Sequence, residues 1–321
     1  MDEMILLQNC SQNQPMLWEV FLTGFQIIYI YRVVLFTIFL FIYALILSGN
    51  IIIIVTIFLY KLLHSPMYFF LCNLSFSEML IATSIIPKML QQLIKNGVTM
   101  SMTECFSQFY FFGTFTLAEC LFLTVMSYDR FLAICRPLHY HSIMHFWFCF
   151  YLSLACWIVA SLVVCLSVSS LSGLYFCGQE HVIDHFFCDF GPILQLSCSD
   201  VSTVQMVVSL LSSASLFFPF SFIVMTYVSI IKSILKISLS TRKKKAFSTC
   251  SSHLIVVAIY YTTLILVYVL PTRDRSLQVN KILSLLYTVI TPLLNPMIYS
   301  LRNREIKAAL SLAFTGRSPH F

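Results

Sequence analysis

The fold is decided by residues 33–60, VVLFTIFLFIYALILSGNIIIIVTIFLY, which contain no Asp, Glu, Lys or Arg. A helix needs about 20 predominantly apolar residues to cross a bilayer, so this segment is long enough to span a membrane. Six further apolar runs bounded by polar loops follow it at 67–90, 104–130, 147–170, 202–231, 246–270 and 281–301. The sequence therefore predicts an all-α membrane protein, a seven-transmembrane helix bundle with a short amphipathic helix after the seventh span.

The composition excludes a soluble protein. Of 321 residues, 59% are hydrophobic and 10% charged, whereas soluble domains carry about 25% charged residues. Seven spans with short loops leave no room for a separate soluble domain, so we predict a tail at 1–32, a seven-helix domain at 33–301 and a second tail at 302–321. The net charge of +6 would suit nucleic acid, but its distribution indicates the inner membrane face instead.

The basic residues set the orientation, because cytoplasmic loops accumulate Lys and Arg. Most of the 19 basic residues fall on the inner side if the N-terminus is outside and the C-terminus inside. Nothing at the N-terminus resembles a cleavable signal peptide, so the first span is expected to act as the insertion signal. Asn9 begins an Asn-Cys-Ser glycosylation sequon on the outer side.

Cysteines on the outer side predict disulfides. Five of the 12 cysteines lie there: Cys10, Cys105, Cys177, Cys188 and Cys198. The compartment is oxidising, but the spacing of the last four leaves all three pairings open. A zinc site with His181 and His185 is the alternative, although the C-x-x-C spacing typical of such sites is absent.

Two carboxylates fall inside predicted spans, where ionisable groups usually mark functional sites. At 1.5 Å per residue, Glu78 and Glu119 both lie about 16 Å above the inner membrane edge. They could share a proton or hold a cation such as sodium, with Asn50 and Asn295 completing a polar cluster. The alternative is that each carboxyl is protonated and only hydrogen-bonds a neighbouring helix.

Two further patterns lie near the inner face. Asp129 and Arg130 end the third span, where the guanidinium can pair with the adjacent carboxylate or bind a cytoplasmic partner. Pro296, within Asn-Pro-Met-Ile-Tyr at 295–299, interrupts the seventh span and frees a carbonyl group. This segment is a candidate hinge.

Several segments carry a specific resemblance. They are MSYDRFLAICRPLHY at 126–140, PMYFFLCNL at 66–74, KAFSTCSSHL at 245–254, PLLNPMIYSLRN at 292–303, and DHFFC with LSCSD at 184–188 and 196–200. They occur in order and in register with seven spans. The chain resembles the olfactory (odorant) receptors of the rhodopsin-like, class A G-protein-coupled receptor superfamily. Phe131 stands where that family usually has Tyr.

The resemblance implies an odorant receptor that activates a stimulatory, olfactory-type heterotrimeric G protein and raises cyclic AMP. It implies disulfides between Cys105 and Cys188 and between Cys177 and Cys198. Its coupling and switch residues would be Asp129, Arg130, Tyr227, Asn295, Pro296 and Tyr299. The expected location is the plasma membrane of olfactory cilia, with membrane lipid and trafficking chaperones as partners, and no cofactor beyond a sodium ion or proton at Glu78 and Glu119.

Ligand sites in helical bundles form between helices, here between the outer halves of spans three, five, six and seven. The predicted ligand contacts are Phe112, Gly113, Thr116, Leu117, Tyr261, Leu264, Ile265 and Tyr268. The outer half of span three has no carboxylate, so we expect a small, neutral, mostly hydrophobic volatile. The alternative is that these residues only pack the bundle.

Two other function classes compete. A small-molecule or ion transporter would also use intramembrane carboxylates, but the chain shows neither internal repeats nor paired broken helices. An enzyme is disfavoured because no segment combines a nucleophile, a base and an orienting group.

Overall fold

The computed structural model describes residues 18–25, 29–177, 181–236, 240–266 and 277–315. Six long helices precede a seventh, interrupted one. The six are α1 (Tyr29–Leu59), α2 (Pro66–Lys95), α3 (Met102–Cys135), α4 (Phe146–Ser172), α5 (Ser202–Leu235) and α6 (Ser240–Leu264). α7 consists of Leu277–Leu285, a π-helical segment Leu286–Ile290 and Thr291–Arg302, and α8 is Arg304–Thr315.

The helices account for the seven predicted spans. Within the described ranges, six of them are long and apolar enough to cross a membrane, and α6 contributes a shorter apolar stretch, Cys250–Leu264. Asn303 is the N-cap of α8, because its side-chain Oδ1 accepts hydrogen bonds from the backbone N–H groups of Glu305 and Ile306 at 3.0 and 3.3 Å. The predicted seven-helix fold with a short helix after the seventh span is confirmed.

Several helices extend beyond the apolar runs. α1 begins at Tyr29 rather than at residue 33, so Arg32 lies inside the helix, where a long basic side chain can reach the polar interface. α3 continues to Cys135 and α5 to Leu235, past the predicted ends at 130 and 231. Hydropathy locates the hydrocarbon boundary, whereas backbone hydrogen bonding continues into the aqueous region.

The chain divides into two compact units. Unit 1 comprises the described residues within Met1–Phe41, Thr83–Thr114 and Ala160–Ser215. Unit 2 comprises those within Ile42–Ala82, Phe115–Val159 and Leu216–Phe321.

Unit 1 contains a small sheet that the sequence did not predict. β1 (Glu19–Leu22) is its central strand, antiparallel to β2 (Val98–Ser101) and parallel to β3 (Val182–Ile183). Strands of two to four residues are too short for period-2 alternation to show.

The N-terminal segment is fixed to the long loop that follows α4. The Thr23 hydroxyl donates to Asp184 Oδ1 at 2.6 Å, and the Thr23 amide donates to Ile183 O at 3.1 Å. Gly24 has a φ of +62°, and a Cβ there would lie 2.6 Å from Gln92 Oε1. Glycine adopts this left-handed backbone angle without strain, and it has no Cβ to contact the Gln92 side chain.

Two disulfides hold the same loop. Cys105 bonds to Cys188, with Cα atoms 5.4 Å apart, and Cys177 bonds to Cys198, with Cα atoms 5.8 Å apart. Asn9 and Cys10 lie outside the described residues.

Buried amides continue the attachment of this loop. Gln108 accepts the Cys188 N–H at its Oε1 at 3.0 Å and donates from its Nε2 to Ser84 O at 2.9 Å. Gln92 donates to Phe186 O at 3.0 Å. Both glutamines are more than nine-tenths buried, so these bonds form away from water.

We predict that Gln108→Leu will lower the free energy of unfolding by about 1–3 kcal/mol, because the buried Cys188 N–H and the Ser84 carbonyl each lose a hydrogen bond to the Gln108 side chain. Thermal unfolding of the detergent-solubilised protein measures the effect. The matched control is Gln91→Leu on the exposed side of α2, for which a change within about 0.5 kcal/mol is expected. Equal unfolding temperatures for Gln108→Leu and Gln91→Leu would contradict the stabilising role of the Gln108 hydrogen bonds.

Candidate functional site

The centre of unit 2 is a buried polar cluster from three helices. Asn295 of α7 donates through Nδ2 to Glu78 Oε1 of α2 at 2.5 Å and to Glu119 Oε1 of α3 at 3.2 Å. Each of the three residues is 1% exposed. One amide therefore links two carboxyl groups that the sequence places at equal depth.

Asn50 joins α1 to the same region. Pro296 has no N–H to donate to the carbonyl four residues earlier, which is that of Pro292. Asn50 Nδ2 donates to this Pro292 O at 3.4 Å and to Ile46 O at 3.1 Å. The side chain thus supplies a hydrogen bond that the proline removes from α7.

Gly49 brings α1 close to the same proline. A Cβ built on Gly49 would lie 3.4 Å from both Cβ and Cγ of Pro296, which is contact distance. The interrupted part of α7 is therefore packed directly on the α1 backbone.

The cluster meets the chemical requirement for a bound cation. Three buried oxygens have no hydrogen-bond partner within the described part of the chain: Glu78 Oε2, Asn50 Oδ1 and Asn295 Oδ1. Carboxylate and amide oxygens are the ligands that hard cations prefer. Among the described residues, no group of three or more His, Cys, Asp or Glu is placed to hold a metal ion.

Arg130 is held at the inner end of α3. Its guanidinium lies 3.3 Å from Asp129 Oδ2 and hydrogen-bonds the Met67 sulfur of α2. Asp129 is fully buried and accepts the Tyr140 hydroxyl at Oδ1 at 2.8 Å. Burial, together with the nearby carboxylate, raises the pKa of Tyr140, so the hydroxyl remains a donor at neutral pH.

His253 links α6 to α3 and α5, although the sequence analysis gave it no role. Its Nε2 lies 3.1 Å from Leu123 O and its Nδ1 lies 2.8 Å from the Tyr227 hydroxyl. A carbonyl can only accept, so Nε2 carries the hydrogen and Nδ1 accepts from Tyr227. His253 is part of the segment KAFSTCSSHL, and the family resemblance of that segment was the signal in the sequence that could have identified it.

Tyr299 completes the inner residues predicted from the sequence. It is 1% exposed, and its hydroxyl has no hydrogen-bond partner among the described residues. Tyr227 and Tyr299 are therefore not bonded to each other, and the Tyr227 hydroxyl is occupied by His253 instead.

The predicted ligand contacts fall in both units. In unit 1, Phe112 is buried with its ring 5.1 Å from that of Phe187. A Cβ on Gly113 would lie 3.1 Å from Val164 Cγ1, so this glycine allows α3 and α4 to approach closely.

The remaining predicted ligand contacts belong to unit 2, except that Tyr268 lies outside the described residues. The Tyr261 hydroxyl lies 3.0 Å from Cys120 Sγ, and its ring centroid lies 4.8 Å from that of Phe220. The neighbouring Tyr260 hydroxyl donates to Thr116 O at 2.6 Å. Leu264 is buried, whereas Leu117 and Ile265 are half-buried.

One buried charge was not anticipated. Lys281 in α7 is 0% exposed and takes part in interactions with other residues. The sequence analysis did not single out Lys281, and its neighbours in the chain give no indication of burial.

We predict that Asn50→Leu will destabilise the protein by about 1–3 kcal/mol, because it removes the donor to the Pro292 carbonyl freed by Pro296. Thermal unfolding measures the loss. Ser48→Ala, at an exposed position of the same helix, provides the control and should unfold like the wild type. An unchanged unfolding temperature in Asn50→Leu would show that the bond contributes nothing.

Comparison with known proteins identifies the family. A family model described as "Olfactory receptor" matches residues 39–317. The chain is 42% identical to Olfactory receptor 6B1 of Homo sapiens over 299 residues, covering 93% of this chain and 95% of the relative. It is 42% identical to Olfactory receptor 1 of Rattus norvegicus over 307 residues, covering 96% and 98%. These are multi-pass membrane receptors and not enzymes, and the chain belongs to the olfactory receptor family of G-protein-coupled receptors.

Proposed function

We propose that this odorant receptor binds a small, neutral, mostly hydrophobic volatile and activates a stimulatory, olfactory-type G protein that raises cyclic AMP. It acts in the plasma membrane of olfactory cilia, which it reaches with trafficking chaperones. The observation that carries the proposal is the closed inner network, in which Asp129 and Met67 hold Arg130 while His253 holds Tyr227. When the inner ends of the helices separate, Arg130 and Tyr227 can leave these partners and form other bonds.

The character of the odorant follows from the proposed contacts. They are Phe112, Gly113, Thr116, Leu117, Tyr261, Leu264, Ile265 and Tyr268. None carries a charge, so an ionised ligand would lose its hydration without gaining an opposite charge. The hydroxyls of Thr116 and Tyr261 allow one or two hydrogen bonds to an aldehyde, ketone, ester or alcohol.

Coupling to the G protein begins with Arg130. Its release from Asp129 would free the guanidinium to contact the G protein. The Asn295–Tyr299 segment acts as the switch, because Pro296 interrupts the backbone hydrogen bonding of α7. Rotation of this segment would bring the Tyr299 hydroxyl within hydrogen-bonding distance of a partner. Tyr227 can meet it only after leaving His253.

The polar cluster would stabilise the resting state. Glu78 and Glu119 would share a sodium ion or a proton with the oxygens of Asn50 and Asn295. Such an ion or proton relieves the repulsion of two carboxylates at close range in a low-dielectric site. Movement of α7 would separate Asn295 from one carboxylate and weaken the site.

We predict that Arg130→Ala will lower the odorant-stimulated cyclic AMP response at least tenfold, because the G protein loses its contact. The response is measured in cells with confirmed surface display, across a panel of neutral volatiles, amines and carboxylic acids. Arg136→Ala, which removes a neighbouring exposed guanidinium, serves as the matched control and should respond within about twofold of the wild type.

Two results would contradict the proposal. Equal responses of Arg130→Ala and the wild type would exclude the assigned role in coupling. Responses confined to carboxylic acids or amines would exclude the neutral ligand class.

We predict that Glu78→Gln will abolish the effect of sodium on basal activity, because the site loses one of its two negative charges. Nucleotide exchange on the G protein is measured in membranes, with sodium replaced by choline at constant ionic strength. The wild type should show lower basal exchange in sodium. Glu104→Gln, which removes an exposed carboxylate of α3, should behave as the wild type. If sodium has no effect on the basal activity of the wild type, the site does not hold sodium, and Glu78 and Glu119 share a proton instead.

A further inference from the structure

Two consecutive tyrosines of α6 are both bound to α3. Tyr260 and Tyr261 are each 2% exposed, so their hydroxyls must find partners inside the protein. The Tyr260 hydroxyl donates to Thr116 O at 2.6 Å, and the Tyr261 hydroxyl lies 3.0 Å from Cys120 Sγ. Residues four apart lie on the same face of a helix. The two tyrosines therefore contact α3 at successive turns of that helix.

The two bonds differ in what they require of α3. Tyr260 bonds to a backbone carbonyl, which any residue at position 116 would supply. Tyr261 bonds to the side chain of Cys120 and also interacts with that of Thr124, one turn further along α3. The bond of Tyr261 therefore depends on residue type, and a substitution in α3 can remove it without changing α6.

The ring of Tyr261 extends the contact to α5. Its centroid lies 4.8 Å from that of Phe220. Phe220 follows Pro219, which lies inside α5 and cannot donate a helical hydrogen bond. Tyr261 thus lies where α3, α5 and α6 meet. A side chain that contacts three helices must change at least one contact when one of them moves.

The bond between Tyr261 and Cys120 is suited to being broken. A thiol is a weak donor and a weak acceptor, so its bond to a hydroxyl is weaker than the bond of Tyr260 to a carbonyl. Leaving a buried hydroxyl without a partner nevertheless costs free energy. The contact can therefore favour one arrangement of the helices without preventing the other.

We propose that the contact between Tyr261 and Cys120, here called the α3–α6 lock, holds α6 against α3 in the resting receptor and keeps basal activity low. The proposal rests on the proposed function, in which the inner ends of the helices separate on activation. A contact favours the resting state only if it is lost in the active state. Removal of the lock therefore raises the active population before any odorant binds. Tyr261 acts here as a positioning residue.

The test is basal nucleotide exchange on a purified stimulatory G protein, without odorant, by full-length receptor in nanodiscs. Tyr261→Phe keeps the ring against Phe220 but removes the hydroxyl. It should raise basal exchange about three- to tenfold, the effect of losing one hydrogen bond. Cys120→Ala should change it in the same direction. Thr263→Val removes a buried hydroxyl that donates to the Tyr260 carbonyl within α6 and should exchange like the wild type.

Variants at Cys120 separate the lock from the odorant contact also proposed for Tyr261. Cys120→Ser retains a donor and an acceptor at this position, so its basal exchange should stay near that of the wild type. The double variant Tyr261→Phe, Cys120→Ala should be no more active than Tyr261→Phe, because both substitutions remove the same contact. Additive effects, or equal activity of Cys120→Ser and Cys120→Ala, would overturn the proposal.

Hydrogen exchange of the backbone amides within 250–264 measures the lock without a G protein. Exchange should be faster in Tyr261→Phe and Cys120→Ala than in the wild type and Thr263→Val. Unchanged exchange in both variants would overturn the lock. So would faster exchange with unchanged basal activity in a receptor that responds to odorants. If exchange is faster but neither the wild type nor any variant responds to an odorant, the proposed function fails, whereas the constraint between α3 and α6 stands.

Discussion

Polar groups within the hydrocarbon layer must find partners inside the protein, because water is not available to them. In unit 2, Asn295 meets this requirement for both carboxyl groups, because its single amide donates to Glu78 and Glu119. The same requirement explains Asn50, which satisfies the carbonyl that Pro296 leaves without a helical donor. α1, α2, α3 and α7 are therefore tied together by hydrogen bonds rather than by apolar packing alone.

The same constraint supports the proposal that the inner network acts as a switch. Arg130, Tyr227 and Tyr299 carry polar groups that are costly to leave unpaired in a low-dielectric interior. Two of them have partners in this structure, and the Tyr299 hydroxyl has none among the described residues. A second arrangement that pairs the buried Tyr299 hydroxyl would recover the free energy of that hydrogen bond. Binding of a partner can select such an arrangement.

The helices and the polar cluster were predictable for the same physical reason. Long apolar runs have few alternatives to spanning a bilayer, and Glu78 and Glu119 are conspicuous there because charge in hydrocarbon is rare. The three-stranded sheet, the burial of Lys281 and the bond between His253 and Tyr227 were not predicted. Each depends on which segments meet in three dimensions, and apolar periodicity carries no information about pairing between distant segments.

The position of β1 has a consequence for biosynthesis. β1 is the first described segment to leave the ribosome, yet it is the central strand, and Thr23 bonds to a residue 161 positions later. Its parallel partner, β3, is translated only after α1 to α4 are complete. The N-terminal segment must therefore wait in the lumen, with its backbone hydrogen-bonded to water, until most of the chain has been synthesised. The three-stranded sheet is thus completed late in synthesis, after the first four helices have been translated.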